Sequence, residues 1–460
     1  MKNEFIELMN AVLDDDHWDV LEKEHQLTLV LNQWVNWLVT TFIDRKEQQQ
    51  RSYYLAQGYQ PGKKAERTVQ FLYGPITYQR TPWKKAGKII YPIDQLLGLQ
   101  PYMRYSPAVI YGFIAASKNG SLRNIAKTIQ TFTLLSCSKD TIDKAIHTFG
   151  DQVKAYQQYT KEYGEVRKRQ VPYLFIEGDG FLLSMKGQKK KDIAHFVIHE
   201  GKKQEQEEGR SQLKQVHEII SEKHHYATEQ VTDYLYRNYD LKETVVIINT
   251  DGGSGYGPTF MGKLLPEKPK RLEIFIDPYH VQLKLQERLF QPELFPVFKA
   301  GIAKHSREKI NTALDTFHSC CETEEQEEHF IKLKAYLNRN WKYLKPYYLR
   351  DLPQDIYTLG IIESLHRAFT YRMKKQGRAW GKKGSDGLLQ IIAAMKNQEI
   401  KPLFLGEWQE AFSLDDRLKD EPICGLEKAT ESPNGAAKGR FHLQTDSLRE
   451  KSYISYLRRN

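Results

Sequence analysis

The amino-acid sequence predicts a mixed α+β protein, and three patterns support this prediction. Apolar side chains between Leu27 and Phe42 recur at three- and four-residue steps, as they do on one face of a helix. From residue 171 onward, short apolar runs typical of strands alternate with helical segments. Between residues 281 and 357 the pattern is helical only.

Composition limits the classes of function. The chain has 460 residues, 40% of them hydrophobic and 12% aromatic, so it has enough apolar material for sizeable cores and is not disordered throughout. Lys and Arg number 68 against 58 Asp and Glu. This basic excess favours a polyanion such as nucleic acid as partner, although many basic proteins bind none. The 4 cysteines include no Cys-x-x-Cys pair, which excludes a disulfide scaffold and the usual zinc ribbon and predicts a reduced, cytoplasmic protein.

The most apolar window, residues 27–43, is short for a membrane span and is interrupted by Asn32, Gln33 and Asn36. The start of the chain lacks the basic segment and apolar core of a secretory signal. We therefore expect no membrane partner and interpret the window as a buried or dimerising helix.

The amino-terminal part is predicted to form two regions, residues 1–65 and 66–170. The first is helical, and the second begins with a β-hairpin at residues 68–80 that turns at Gly74-Pro75. Within residues 121–148, two capped helices follow each other closely. This pattern is typical either of a helix-turn-helix DNA-binding unit or of an ordinary pair of helices. In the DNA-binding interpretation the residues that contact bases are Lys139, Thr141 and Lys144.

Residues 171–283 have the element order of a ribonuclease-H-like core. Three antiparallel strands, a helix, a fully apolar strand, a helix and a further strand follow one another. The strands are predicted near residues 171–176, 194–199, 215–220, 244–249 and 271–276. We expect residues 284–358 to form an all-helical insertion, residues 359–400 the last helix of the core, and residues 401–460 an irregular tail.

Three acidic residues are placed for metal chemistry in such a core. Asp179 lies at or just beyond the end of the first predicted strand, Asp251 ends the apolar strand, and Glu363 lies in the first turns of a later helix. Close carboxylates repel one another and raise each other's pKa unless a cation offsets the charge. We therefore expect them to bind Mg²⁺ or Mn²⁺, two ions of which can promote an in-line displacement at a phosphodiester. An Asp before Gly at a strand end is also a common turn, and the ordered set of three acids favours the metal site over that alternative.

Two further features have more than one interpretation. Residues 364–383 hold seven Lys or Arg and no acid, which fits either contacts with DNA phosphates or a solvated helix face. Asp277 and His280 would share one face if a helix began there. Metal binding, nucleic-acid contact and a buried structural hydrogen bond are all open for this pair, and we favour the last. The candidate DNA contacts of the basic run are Arg367, Arg372, Lys374, Lys375, Arg378, Lys382 and Lys383.

Four segments together resemble the ISLre-type insertion-sequence transposases, a group similar to the Mutator-like transposases and also catalogued as an uncharacterised protein family. The segments are Phe175-Ile-Glu-Gly-Asp-Gly, Ile248-Asn-Thr-Asp-Gly-Gly, Phe275-Ile-Asp-Pro-Tyr-His and the run from Gly360 to Gly384. The resemblance extends from the hairpin near Phe71 to about Lys396.

The resemblance implies a ribonuclease-H-like DDE transposase. It implies Asp179, Asp251 and Glu363 as the catalytic and metal-binding triad and a helical insertion between the second and third acids. It also implies an Asp-x-x-His signature, matched here by Asp277 and His280, with Pro278 standing where a charged residue is expected.

The expected function is therefore that of a DNA transposase that binds double-stranded terminal inverted repeats, cleaves DNA with Mg²⁺ or Mn²⁺ and joins the 3′-hydroxyl to target DNA. Two ends must be processed together, so a homodimer or higher oligomer is expected, with no small-molecule cofactor. Two alternatives remain: a structure-specific nuclease that only hydrolyses, and a domesticated DNA-binding regulator without catalysis. The intact set of three acids argues against the regulator.

Overall fold

The fold is described from a computed structural model of the chain, which describes residues 2–203, 212–375 and 377–406. Helices and three sheets in these residues form a mixed α+β protein, as the sequence predicts. The chain divides into two compact units, one of residues 1–158 and 398–460 and the other of residues 159–397. The tail predicted to be irregular begins instead within a short helix that ends at Leu405, and from position 407 onward it lies outside the described residues. No helix in the described part of the chain is long and apolar enough to cross a membrane.

The first unit is helical at its start, as predicted, and then contains a small β region followed by the four helices α3 to α6. The division between the units falls near the carboxyl end of its last long helix. Its elements are α1 (Lys2–Leu13), α2 (Val20–Ala56), β1 (Gln60–Pro61), β2 (Ala65–Phe71), β3 (Gly74–Arg80), β4 (Trp83–Lys85), β5 (Lys88–Ile90), α3 (Pro92–Leu96), α4 (Pro107–Ala116), α5 (Leu122–Phe132) and α6 (Lys139–Tyr163).

The β2–β3 hairpin packs on the long helix α2. Its register pairs Phe71 with Gly74, so the turn consists of Leu72 and Tyr73 and not of Gly74-Pro75 as the sequence suggested. Gly74 has a φ of +109°, a conformation that favours glycine, at the first position after the turn. The predicted apolar helix at residues 27–43 lies within α2. It is buried only in part, because one face packs on the hairpin while Trp34 remains 42% exposed.

Helices α5 and α6 begin at the two predicted caps. The Ser121 hydroxyl accepts a hydrogen bond from the backbone of Asn124 at 3.0 Å, and the Ser138 hydroxyl accepts one from Thr141 at 3.2 Å. Lys139 and Lys144 are exposed, whereas Thr141 is half-buried with its hydroxyl 3.1 Å from that of Ser138. A DNA-reading role for these three side chains remains a prediction.

The second unit contains one large sheet and the remaining helices, and the chain then returns to the first unit with α15 (Ile400–Leu405). The elements of the second unit are β6 (Tyr173–Leu183), β7 (Lys191–His199), β8 (His217–Ser221), α7 (His224–Asn238), β9 (Val245–Thr250), α8 (Pro258–Gly262), β10 (Arg271–Ile276), α9 (Pro278–Arg288), α10 (Phe295–Ala303), α11 (Arg307–Ser319), α12 (Glu324–Asn340), α13 (Ile362–Met373) and α14 (Lys382–Lys396).

The large sheet has five strands in the order β10-β9-β6-β7-β8. Strands β10, β9 and β6 are parallel to one another, and β7 is antiparallel to both β6 and β8. Strand β9 is apolar because it lies between two other strands and is covered on both faces, with Val246 and Ile248 in one core and Ile247 in another. The helices α9 to α12 enclose a further core around Phe298 and Phe317, which agrees with the helical pattern predicted after residue 281.

Candidate metal centre

Asp179 lies on β6, and Asp251 directly follows β9, the parallel strand next to it. The register pairs Gly178 of β6 with Thr250 of β9. The residue that follows each of these two in the chain is one of the aspartates, so Asp179 and Asp251 occupy equivalent positions. The prediction that Asp179 stands at the strand end is wrong, because β6 continues to Leu183. Asp179 is instead paired with His195 of β7, and this pairing extends the strand through the glycines that suggested a turn.

Glu363 is the second residue of α13, and the start of this helix is fixed to β6 by Glu177. The Glu177 carboxylate, which is fully buried, accepts hydrogen bonds from the backbone of Gly360 at 3.0 Å and of Ile362 at 3.1 Å. A carboxylate is favourable at this place because the first amides of a helix have no partner within the helix. Glu177 and Asp179 are two residues apart on one strand and therefore point to the same sheet face.

Asp179, His280 and Glu363 together offer ligand atoms for one cation. One atom from each side chain, a carboxylate oxygen or an imidazole nitrogen, lies within 4.8 Å of the other two. Nε2 of His280 is 3.9 Å from a carboxylate oxygen of Glu363. The fold therefore brings Asp179 and Glu363 close together, as the sequence predicts, although they are 184 positions apart in the chain. Asp251 is not a member of this close group, but its charge acts on Asp179.

The pKa of Asp179 is raised to about 7. Burial is the largest cause, and the nearby charges of Asp251 and Glu363 raise the pKa further. The backbone N–H of Gly180, which donates to the Asp179 carboxylate at 2.7 Å, and the nearby His280 both lower it. The cluster therefore repels added negative charge and is stabilised by positive charge.

Asp277 and His280 have different surroundings. The Asp277 carboxylate caps α9 by accepting from the backbone of Tyr279 at 2.7 Å, and it accepts from the Asn249 side chain at 3.3 Å. The favoured prediction of a buried structural hydrogen bond therefore describes Asp277. Pro278 occupies the first position of the helix, where its fixed φ suits the fold and no N–H is required.

His366 is a member of the site that sequence reasoning missed. Its Nδ1 lies 3.8 Å from a carboxylate oxygen of Asp179, and its ring lies 5.4 Å from that of Phe181. Burial is the main cause that lowers its pKa to about 3, so the imidazole is neutral at physiological pH. The sequence did offer an indication of His366, because residues three positions apart on a helix, such as Glu363 and His366, share one face. It offered a similar indication of Glu177, because residues two positions apart on a strand, such as Glu177 and Asp179, share one face.

One predicted DNA contact is corrected by the structure. Arg372 is only 1% exposed and its guanidinium lies 5.0 Å from the centre of the Trp380 ring, so it cannot reach a DNA phosphate from this position. Burial lowers its pKa to about 10. The other members of the basic run are exposed or half-exposed, namely Arg367, Lys374, Lys375, Arg378, Lys382 and Lys383.

The fold and site define a class of protein: a mixed α+β protein in which two carboxylates and an imidazole cluster at the central strand of a five-stranded sheet. The chain belongs to the Uncharacterised protein family (UPF0236), whose model matches residues 13–410. It is similar to the UPF0236 protein in vanSb 3'region of Streptococcus gallolyticus. The two are 29% identical over 358 residues, which cover 77% of this chain and 78% of that protein.

Proposed function

We propose that this protein is a DNA transposase of the ISLre type that cleaves and joins DNA with Mg²⁺ or Mn²⁺. The observation that supports the proposal best is the cluster of Asp179, His280 and Glu363 within 4.8 Å, with Asp251 on the adjacent strand path. These residues come from four separate segments of the chain, so the cluster is a product of the fold and not of local sequence.

The sheet topology supports a ribonuclease-H-like catalytic core. Three antiparallel strands, a helix and two parallel strands follow in chain order, and the first strand lies at the centre of the sheet. The helices α9 to α12 stand in the chain between Asp251 and Glu363, as an insertion between the second and third acids would.

The side chains present fit a divalent cation. The donor set is rich in oxygen, because it consists of two carboxylates and one imidazole whose ligand atoms lie within 4.8 Å of one another. The raised pKa of Asp179 reflects burial together with repulsion between the nearby negative charges. Asp179, Glu363 and His280 would hold one ion, and Asp251 is placed to help hold a second. Such an ion would supply activation of a water or 3′-hydroxyl and charge stabilisation at the phosphate.

The chain's own residues orient this chemistry. Glu177 and the capped start of α13 fix Glu363 relative to Asp179, and the neutral His366 lies 3.8 Å from the Asp179 carboxylate. The exposed basic residues after Glu363 would hold DNA phosphates. Joining two ends to one target would need two copies of the chain together.

The direct test uses purified protein and duplex DNA from both flanks of its gene, incubated with Mg²⁺, Mn²⁺ or EDTA. Asp179→Asn, Asp251→Asn and Glu363→Gln should each reduce cleavage and strand transfer by at least about 100-fold, because each removes a charged ligand. Glu229→Gln, at an exposed acid on α7, is the matched control and should behave as the wild type.

The products distinguish the rival functions. Cut ends that are joined to a second duplex support a transposase, whereas cut ends that are never joined would identify a nuclease. Specific binding of flank DNA without cleavage in either metal would identify a regulator. Wild-type activity in any one of the three variants would remove that residue from the site.

A further inference from the structure

We propose that the tip of the β6–β7 hairpin and the connection between α13 and α14 form one surface that binds the phosphate backbone of duplex DNA. This surface, named the hairpin surface, consists of Lys186, Lys189, Lys190, Lys374, Lys375, Arg378, Lys382 and Lys383. The inference rests on the proposed function, and it adds the three hairpin lysines to the basic residues that follow Glu363. It also predicts where along the DNA the contact lies.

The hairpin and the connection are joined by backbone hydrogen bonds. The N–H of Lys186 donates to the carbonyl of Trp380 at 2.9 Å, and the N–H of Trp380 donates to the carbonyl of Ser184 at 3.0 Å. The Trp380 indole N–H in turn donates to the carbonyl of Met373 at the end of α13 at 2.8 Å. The two basic segments, distant in sequence, are therefore held against each other.

The two segments that form the surface carry positive charge and no acid. The segments 184–191 and 373–383 contain no Asp or Glu. None of the eight cations has an acidic partner within 4 Å among the residues that the structure describes, whereas the adjacent Lys191 pairs with Glu222. Lysines held on a solvated surface usually alternate with acids, so this arrangement favours a polyanionic partner.

The two elements that lead to this surface both pass the metal-binding cluster, β6 at Asp179 and α13 at Glu363, and from there they run side by side. His366 lies against Asp179, Phe369 lies 6.4 Å from Phe181 between ring centres, and farther along Trp380 pairs with Met185. At about 1.5 Å per helical residue and 3.3 Å per strand residue, the surface lies roughly 15 to 25 Å from the cluster. A duplex rises about 3.4 Å per base pair, so the contacted phosphates are about four to seven base pairs from the cleaved bond.

The chemistry of the surface selects the backbone and not the bases. Seven of the eight cations are lysines, which bind phosphate as point charges, and Arg372 lies over one face of the Trp380 ring. Binding here should therefore be independent of DNA sequence and strongly dependent on salt.

The test is a triple variant, Lys186→Ala with Lys189→Ala and Lys190→Ala, compared with the wild type in binding to duplex DNA over a range of salt concentrations. Loss of two or three phosphate contacts should reduce the slope of log affinity against log salt by about 2 to 3, and the affinity at low salt at least tenfold, equally for flank and unrelated duplexes. The control triple variant, Lys299→Ala with Lys304→Ala and Lys309→Ala, removes equal charge from exposed lysines on and between α10 and α11 and should change the slope by less than about 1.

Placement along the DNA is tested with duplexes that have neutral methylphosphonate linkages at stepped positions. Wild-type binding should weaken when these linkages lie about four to seven base pairs from the cut, and the hairpin triple variant should lose this sensitivity. An unchanged salt slope in the hairpin variant, or an equal effect in the control, overturns the inference while DNA binding by the wild type stands. A wild type that binds no DNA overturns the proposed function as well.

Discussion

Glu177 on β6 accepts a hydrogen bond at 3.1 Å from the backbone N–H of Ile362, the first residue of α13. Through this contact the strand that contains Asp179 determines where the helix that contains Glu363 begins. Gly360 also donates to Glu177, at 3.0 Å, and its φ of +80° lets the chain turn into the helix. The geometry of the cluster of Asp179, His280 and Glu363 therefore depends on a buried carboxylate that is not itself one of its members.

Removal of this carboxylate should weaken metal binding. We expect Glu177→Ala to lower the free energy of unfolding by about 2 to 4 kcal/mol. The reason is that each buried amide left without its acceptor destabilises the fold by roughly 1 to 3 kcal/mol. We also expect Mn²⁺ affinity, measured by calorimetry or by electron paramagnetic resonance, to fall about 10- to 100-fold. Glu177→Gln keeps one acceptor oxygen and should fall between the wild type and Glu177→Ala in both measurements.

A matched control separates positioning from general loss of stability. Asp94 in the first unit is another buried carboxylate, and it accepts from Arg67 and from the hydroxyl of Tyr78. Asp94→Asn should destabilise the protein while leaving Mn²⁺ affinity of the folded protein unchanged. Equal Mn²⁺ affinities in the wild type and both Glu177 variants would show that Glu177 only stabilises the fold.

The imidazole of His280 should influence which metal is bound. Imidazole is a better ligand for Mn²⁺, Co²⁺ and Zn²⁺ than for Mg²⁺, which prefers oxygen. We therefore expect His280→Ala to reduce Mn²⁺ affinity at least tenfold and Mg²⁺ affinity by a smaller factor. Competition between the two ions, followed by the paramagnetic signal of Mn²⁺, measures the ratio. An unchanged ratio would exclude His280 from the ligands.

Metal affinity should depend on pH through Asp179. Its pKa is raised to about 7, so below that pH a proton must leave before the carboxylate can bind a cation. Without metal, the protonated carboxyl contributes stability that is complete below about pH 4 and is lost as the pH rises through 7. Mn²⁺ should therefore raise the melting temperature more at pH 8 than at pH 6. Calorimetry in two buffers should detect release of about one proton at pH 6 and almost none at pH 8, and equal release at both would contradict the assignment.

Arg367 and Arg372 should respond differently to substitution although both belong to the same basic run. Arg372 is buried against Trp380, so Arg372→Ala should lower the melting temperature by several degrees, about 1 to 3 kcal/mol in stability. Arg367 is exposed, so Arg367→Ala should leave the melting temperature unchanged and reduce DNA affinity. The opposite pattern would contradict the burial described for Arg372.

Much of the secondary structure was predictable because it depends on neighbours in sequence. The caps at Ser121 and Ser138, the helical amino terminus and the apolar strand before Asp251 all follow from short-range patterns. The turn of the first hairpin and the end of β6 were misplaced for a common reason. Glycine marks positions where a turn is possible, but pairing with a neighbouring strand decides whether one forms, as the pairing of Asp179 with His195 does.

By itself the sequence determined that three acids follow each other in an order suited to a metal site, since residue type and local pattern specify which side chains can bind a cation. Only the tertiary structure decided that His280 joins Asp179 and Glu363, that Glu177 and His366 support them, and that Arg372 is buried. The physical reason is that ligand geometry, burial and pKa depend on distances between segments that are far apart in the chain. Those distances are fixed by sheet register and helix packing, which no local pattern specifies.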